Sequence, residues 1–223
     1  MNIALIVFAG SGSRMSSSIP KQFIKINGHE LVAYTINVFE KHPLIDEIVL
    51  VTSKDYIAFT KNLVYTHNFR KVSTVIEGGD TRQVSVRNGL NKTNYDKDSI
   101  ILIHDGDRPM IDDNTITNCV REMEHSKGCT VLIKSKDALK EVSNLGRKYD
   151  IKGVSYDIQT PQCFRYGNIK DLHNRYKDEQ VNDDVSLMLL DHQEVSYVNG
   201  RPVNFKITQD KDLEYLKTII GEY

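Results

Sequence analysis

The chain has 223 residues, 39% of them apolar and 26% charged, enough to bury a substantial core and too mixed for a collagen-like, coiled-coil or disordered chain. Twenty-nine basic against thirty acidic residues leave a formal charge of −1, so the molecule cannot hold a polyanion such as nucleic acid by bulk electrostatics, and any anion site must be local. The apolar opening MNIALIVFAG is too short for a membrane span, carries no basic flank and ends in glycine, which argues for a cytoplasmic protein with no membrane partner.

Taken in chain order, Ile3 to Phe8, Glu47 to Thr52 and Ile100 to His104 are short, β-branched apolar runs, as strands covered on both faces require. Helical stripes lie between them: Val32, Ile36 and Phe39 share one face, Tyr56, Phe59 and Leu63 another, and Val84, Val86 and Leu90 approximate a third. The alternation predicts an α/β domain with a mostly parallel twisted sheet and helices on both faces. From Asp137 to Ile158 that rhythm breaks into short strand-like pieces around Asn144-Leu145-Gly146, which predicts a projecting β-hairpin arm. An isolated hairpin is marginal in water, so the arm is expected to pack on a second copy of the chain, making a homodimer. Helices follow near Asn168 to Tyr176 and Asp183 to Asp191, then a strand at Glu194 to Val198 and a final helix from Asp210. With no internal repeat or linker, residues 1–223 read as one domain, 137–158 being the arm. Cys119, Cys129 and Cys163 show no paired spacing and read as free thiols, with neither disulfide nor structural zinc.

In wound α/β sheets ligands sit beyond the carboxyl ends of the strands, which directs attention to four segments. The first strand runs into Ala9-Gly10-Ser11-Gly12-Ser13-Arg14-Met15, then Pro20-Lys21-Gln22-Phe23. Its glycines let the backbone turn and leave amides for phosphate oxygens, and Arg14 and Lys21 add charge. Met15 stands where a dinucleotide fingerprint needs a third glycine, and no Gly-Lys pair exists for a P-loop. The second segment, Gly78-Gly79-Asp80-Thr81-Arg82, enters a helix through Ser85, either as an anion or base site at a helix N-terminus or as an ordinary capped helix. The third, His104-Asp105-Gly106-Asp107-Arg108-Pro109, could hold a hydrated Mg²⁺ beside a phosphate or form a plain Asp–Arg pair, with His104 packed beneath the loop. The fourth, Asn204-Phe205-Lys206-Ile207-Thr208, reads as an alternating strand carrying one lysine.

In order, FAGSGSRM with PKQF, GGDTRQVSV, HDGDRP, QTPQCF, NDDVS and NGRPVNFKIT resemble the cytidylyltransferases that act on alditol phosphates, over nearly the whole chain. The two best-known branches of that family make CDP-methylerythritol and CDP-ribitol. The resemblance implies a Rossmann-like fold of the nucleotide-diphospho-sugar transferase type. It also implies attack of an alditol phosphate on the α-phosphorus of CTP with release of pyrophosphate, Mg²⁺ as cofactor, and a β-arm from a partner subunit reaching the site. Carried over by position, Arg14, Lys21 and Lys206 would be catalytic. Phe8, Ala9, Gly10, Ser11, Gly12, Gly79, Asp80, Ser85 and Gly106 would line the nucleotide. Asp105, Arg108, Lys152 and Thr160 would serve the acceptor, and Asp105 would also bind the metal. Three positions depart from the family pattern: Ala138 where the arm usually has threonine, Lys152 where arginine is usual, and Gly106-Asp107 where the loop usually has two alanines. Lysine supplies charge without the two-pronged guanidinium grip. All three fall on the acceptor side, which leans the acceptor toward an alditol phosphate for a wall or capsule polymer rather than isoprenoid synthesis. Two other readings stay open: a sugar-1-phosphate nucleotidylyltransferase and a non-catalytic nucleotide-binding protein.

Overall fold

The protein is described by a computed structural model covering residues 1–10, 19–135 and 154–220, with the backbone of 140–142 and 148–150. The apolar runs become strands β1 (Asn2–Val7), β4 (Glu47–Thr52) and β6 (Ile100–Asp105), within one residue of the ranges read from sequence at each end. Between β1 and β4 lie a small hairpin, β2 (Lys25–Ile26) and β3 (His29–Glu30), and helix α1 (Leu31–Lys41). Then follow α2 (Ile57–Thr66), β5 (Val72–Glu77), α3 (Arg82–Lys92), α4 (Asp113–Glu122) and β7 (Gly128–Lys134). The chain continues through β8 (Lys140–Val142), β9 (Lys148–Asp150), β10 (Tyr156–Arg165), α5 (Tyr166–Arg175), α6 (Val185–Leu190), β11 (Ser196–Asn199) and α7 (Asp210–Ile220).

Seven strands form one sheet in the order β11-β7-β10-β6-β1-β4-β5. Every neighbouring pair is parallel except those made by β10, which runs antiparallel to both β6 and β7. The mostly parallel α/β sheet expected from the alternation is therefore what forms. Period-2 geometry splits β1 between two cores. Ala4 and Ile6 join Ile36 and Phe39 of α1, Leu63 of α2 and Ile116 of α4 on one face. Ile3, Leu5 and Val7 meet Val86 and Leu90 of α3, Leu172 of α5 and Met188 of α6 on the other. Burying about ten such fully enclosed branched side chains on each face, at roughly 1.5–3 kcal/mol apiece, is what holds the sheet as a rigid platform. Strand order reverses at β1, which has β4 on one side and β6 on the other. The C-terminal ends of β1 and β6 meet there, with Val7 directly opposite Asp105.

Three expectations need correction. Val84 is only half-buried and packs over Gly79 rather than joining Val86 and Leu90 in the core, because it belongs to the first turn of α3 and faces the loop before it. The predicted arm extends too far: β8 and β9 do form a separate two-stranded antiparallel sheet, but Tyr156 to Ile158 already belong to β10 and pair with β7. Asn144-Leu145-Gly146 and Ala138 lie outside the described residues. The stretch Asn204 to Thr208 is not a strand; Ile207 N donates to Asp107 O (2.9 Å) and its side chain enters a small core with Ile26, Leu31, Leu213 and Leu216, which pins the segment against the β6 loop. The three cysteines are free thiols, as read from the sequence, and they converge in space: Cys129 and Cys163 are cross-strand partners, α4 lays Cys119 over them, and all three buried sulfurs lie within 4.8 Å of one another.

Candidate functional site

At the switch point the loops after β1, β5 and β6 enclose a cleft of about 660 Å³, with Lys206 on its rim. The first loop is set by Gln22, a buried amide whose Nε2 donates to Phe8 O and Gly10 O, both at 2.9 Å. Pro20 leads into a single 3₁₀ turn, Lys21–Phe23, which places Gln22 inward and Phe23 against Phe8 and Tyr56. Ala9, Gly10 and Lys21 line the cleft; Ser11, Gly12 and Arg14 lie outside the described residues.

The second loop owes its shape to small residues. A Cβ on Gly78 would stand 2.5 Å from that of Ala9, and one on Gly79 would stand 2.2 Å from Val84 Cγ1, so the backbone comes closer than any side chain allows. Gly79 N donates to Ser85 Oγ (3.0 Å), whose own proton goes to Thr81 O (2.9 Å). Ser85 thus lines the cleft with its hydroxyl already committed to holding Gly79, while Asp80 is exposed at the mouth. Thr81 caps α3, accepting from Val84 N at 3.1 Å.

The third loop is held from beneath. Thr160 Oγ1 accepts from Asp105 N (3.2 Å) and meets His104 Nδ1 (2.9 Å); His104 Nε2 meets Arg108 O (3.2 Å). A carbonyl only accepts, so Nε2 carries the proton and Nδ1 accepts from Thr160, a chain that works with neutral imidazole. Full burial pushes the His104 pKa down to about 3. His104 is therefore packed under the loop, as the sequence suggested. Gly106 has its N bonded to Val7 O and its O to Thr35 Oγ1, both 2.9 Å, and its role is close packing on Phe8. Arg108 turns inward, donating to Asn204 O (2.8 Å) and Ile158 O (3.4 Å). Neither its guanidinium nor Thr160 lines the cleft, and Lys152 lies outside the described residues.

The charged side chains converge. Asp105 accepts from Arg82 Nε on Oδ1 (2.7 Å) and from Lys206 Nζ on Oδ2 (2.9 Å), with Arg108 Nε at 3.6 Å. Burial alone would raise its pKa; Arg82, then Lys206 and Arg108, outweigh that and hold it well below the usual carboxylate range. Lys21 Nζ donates to Ile207 O and pairs with Asp107 Oδ2 at 2.5 Å, and Asp107 Oδ1 is 3.8 Å from Lys206 Nζ. Two of the three predicted cations therefore meet over one carboxylate. Sequence reading missed Arg82, whose Nη1 also reaches Asp184 (2.7 Å), itself bonded to buried His173 (3.0 Å). The metal-ligand expectation for Asp105 does not fit: both its oxygens are taken by cations, and a divalent ion there would face Arg82, Lys206 and Arg108 together.

A glycine-shaped cleft at a sheet switch point, with lysines arriving from separate loops, is the arrangement of a nucleotidyltransferase. Comparison with known proteins is narrower. Residues 2–222 match the family "2-C-methyl-D-erythritol 4-phosphate cytidylyltransferase". A protein of that name from Clostridium acetobutylicum is 37% identical over 225 residues (99% of this chain, 97% of the relative), and one from Lachnoclostridium phytofermentans is 35% identical over 228 (99% and 96%). Among solved structures, 4-diphosphocytidyl-2C-methyl-D-erythritol synthase from Anaerococcus prevotii superposes with a TM-score of 0.85 at 27% identity, covering 99% of this chain and 96% of that one. The 2-C-methyl-D-erythritol 4-phosphate cytidylyltransferase from Francisella tularensis gives 0.82 at 26%, covering 97% and 98%. The chain belongs to the 2-C-methyl-D-erythritol 4-phosphate cytidylyltransferase family, and is a cytidylyltransferase.

Proposed function

We propose that the protein transfers the cytidylyl group of CTP to 2-C-methyl-D-erythritol 4-phosphate, giving the CDP-alditol and pyrophosphate. The single observation that carries this reading is the meeting of Lys21 and Lys206, from opposite ends of the chain, over the cleft walled by the Gly10 and Gly79 loops. An oxygen of the acceptor phosphate forms a bond to the α-phosphorus as the bond to the β-phosphate oxygen breaks, and the electron pair leaves with pyrophosphate. The attacking phosphate is already anionic at neutral pH, so no general base is required. What the site must supply is alignment and fixed positive charge. Lys21, with Arg14, takes the triphosphate side and the developing charge on the phosphorane; Lys206 takes the acceptor phosphate. Gln22 holds the Phe8 and Gly10 carbonyls, fixing the backbone against which the nucleotide lies, and Ser85 does the same for Gly79. Asp105, gripped by Arg82, orients Lys206 rather than a metal. Mg²⁺, when bound, would supply further positive charge to the nucleotide's own phosphate oxygens.

The relatives from Clostridium acetobutylicum and Lachnoclostridium phytofermentans carry the methylerythritol 4-phosphate name, which favours that acceptor over ribitol 5-phosphate and favours isoprenoid synthesis over wall or capsule polymers. The reading places the enzyme in the cytoplasm; among the described residues no helix is long and apolar enough to cross a membrane. It also makes the β8–β9 hairpin a dimer arm: Val154, Tyr156 and Ile158 at its base are exposed, and light scattering should give twice the chain mass. Pyrophosphate release should be followed with CTP, Mg²⁺ and a panel of methylerythritol 4-phosphate, ribitol 5-phosphate and a hexose 1-phosphate. Turnover confined to the first supports the reading. Preference for ribitol phosphate changes the acceptor, hexose phosphate turnover points to a sugar nucleotidylyltransferase, and CTP binding without turnover points to a non-catalytic protein.

A further inference from the structure

Asp107 has no part in the chemistry just described, yet it occupies the centre of the site. It sits in the turn after β6, nearly buried, with its backbone carbonyl fixed by Ile207 N at 2.9 Å. Its Oδ2 forms an ion pair with Lys21 at 2.5 Å, while Oδ1 has no hydrogen bond and lies 3.8 Å from Lys206 Nζ. An ammonium has three protons, and two of those on Lys21 are already directed at Asp107 and at the Ile207 carbonyl. Around this point the described side chains place Lys21, Lys206, Arg82 and Arg108 against Asp105, Asp107 and Asp184, one cation in excess. Removing Asp107 doubles that excess in a corner shielded from water, where Coulomb terms are several times larger than in bulk solvent. Of the two lysines Asp105 reaches Lys206; among the described residues, Asp107 is the carboxylate that faces both.

Resting on the proposed function, we infer that Asp107 is a built-in counter-ion that weakens the hold of Lys21 on polyphosphate, setting nucleotide affinity and easing the departure of pyrophosphate. An incoming phosphate competes with a carboxylate already in place, so part of the attraction of the lysine is cancelled in the ground state. The same carboxylate takes Lys21 back as the product leaves. The cost appears as weaker binding and the gain as faster release, a trade-off that a group serving only the fold would not produce.

The test compares wild type with Asp107→Asn, which keeps shape and removes charge, and with Asp107→Ser as a second variant. Each should unfold as cooperatively as wild type in a thermal melt. Calorimetric titration with inorganic pyrophosphate, and separately with CTP, should show each ligand bound about tenfold more tightly by Asp107→Asn. In turnover, KM for CTP should fall, kcat should fall with it, and pyrophosphate should become a correspondingly stronger product inhibitor. Equal or weaker pyrophosphate binding by both variants would overturn the inference. So would an unchanged pyrophosphate affinity accompanied by a rise in the Mg²⁺ concentration needed for half-maximal rate, which would make Asp107 a metal ligand instead. Wild type that binds pyrophosphate but turns over no CTP would sink the proposed function and leave the calorimetric comparison valid. Wild type that binds no pyrophosphate would overturn both.

Discussion

Replacing Arg82 with alanine removes a side chain that bridges two buried carboxylates, Asp105 and Asp184. Asp105 is 5% exposed and Asp184 1% exposed, and Arg82 donates to each at 2.7 Å. After the change Asp105 keeps Lys206 and Arg108, but among the described residues the Asp184 carboxylate keeps only His173. Breaking a buried ion pair from one side costs about 3–5 kcal/mol because the abandoned charge cannot return to water. For a domain of this size each kcal/mol moves the midpoint by about 2–4 °C, so Arg82→Ala should melt roughly 6–20 °C lower. Asp184 has a pKa held below the ordinary value; burial opposes this, and Arg82, then His173, outweigh it. Its contribution is thus present above the unfolded carboxylate pKa and lost as pH falls through the folded one. The penalty of Arg82→Ala should accordingly shrink between pH 7 and pH 4, where the orphaned carboxylate can take a proton. Arg82→Ala with Asp184→Asn should recover part of the loss, a non-additivity read from chemical denaturation of the four-member cycle. A penalty under about 1 kcal/mol, or strict additivity, would refute the claim that this bridge holds Asp105 in place.

Other consequences follow from the same geometry. Gln22→Ala orphans two backbone carbonyls at about 1–3 kcal/mol each, and should raise KM for CTP by about tenfold or more; an unchanged KM would show the first loop to be shaped elsewhere. His104 is kept neutral when folded, its pKa lowered to about 3, whereas the unfolded imidazole titrates near pH 6.5. The unfolded state therefore binds more protons between those values, and stability should decline from about pH 6.5 toward pH 3. Denaturation midpoints of His104→Gln should show a shallower decline over that range, and an identical slope would contradict the assignment. Cys119, Cys129 and Cys163 are buried in the α4 core, so a thiol reagent should titrate none of them rapidly in the native protein and three after unfolding; one fast native thiol would contradict the packing.

The sheet was legible wherever strands are continuous apolar runs covered by helices on both faces, as with Ile3–Val7 and Glu47–Thr52. It was illegible along β10, where Gln159, Thr160 and Gln162 are polar yet buried. Gln162 is fully enclosed because its amide ties β7 to α6, donating to Thr130 Oγ1 and accepting from Asp184 N and Val185 N. Such polar satisfaction depends on partners about 20 to 30 residues away, which no local period records. At the site, Lys21 could be picked out because a cation beside a glycine-bearing loop is chemically suggestive, whereas Lys206, by itself one lysine on an expected strand, was reached through the family resemblance. Arg82 could not be singled out, since its partners lie 23 and 102 positions along the chain. The thiol cluster escaped for the same reason: it is made by α4 lying over a β7–β10 pair, not by a motif.

The most direct measurement is steady-state pyrophosphate release from CTP and methylerythritol 4-phosphate by wild type, Lys21→Ala and Lys206→Ala, each checked for native melting. If the lysines meeting over Asp107 stabilise the crowded phosphates, both variants should lose about two to three orders of magnitude in kcat. Either variant turning over within a few-fold of wild type would contradict that claim.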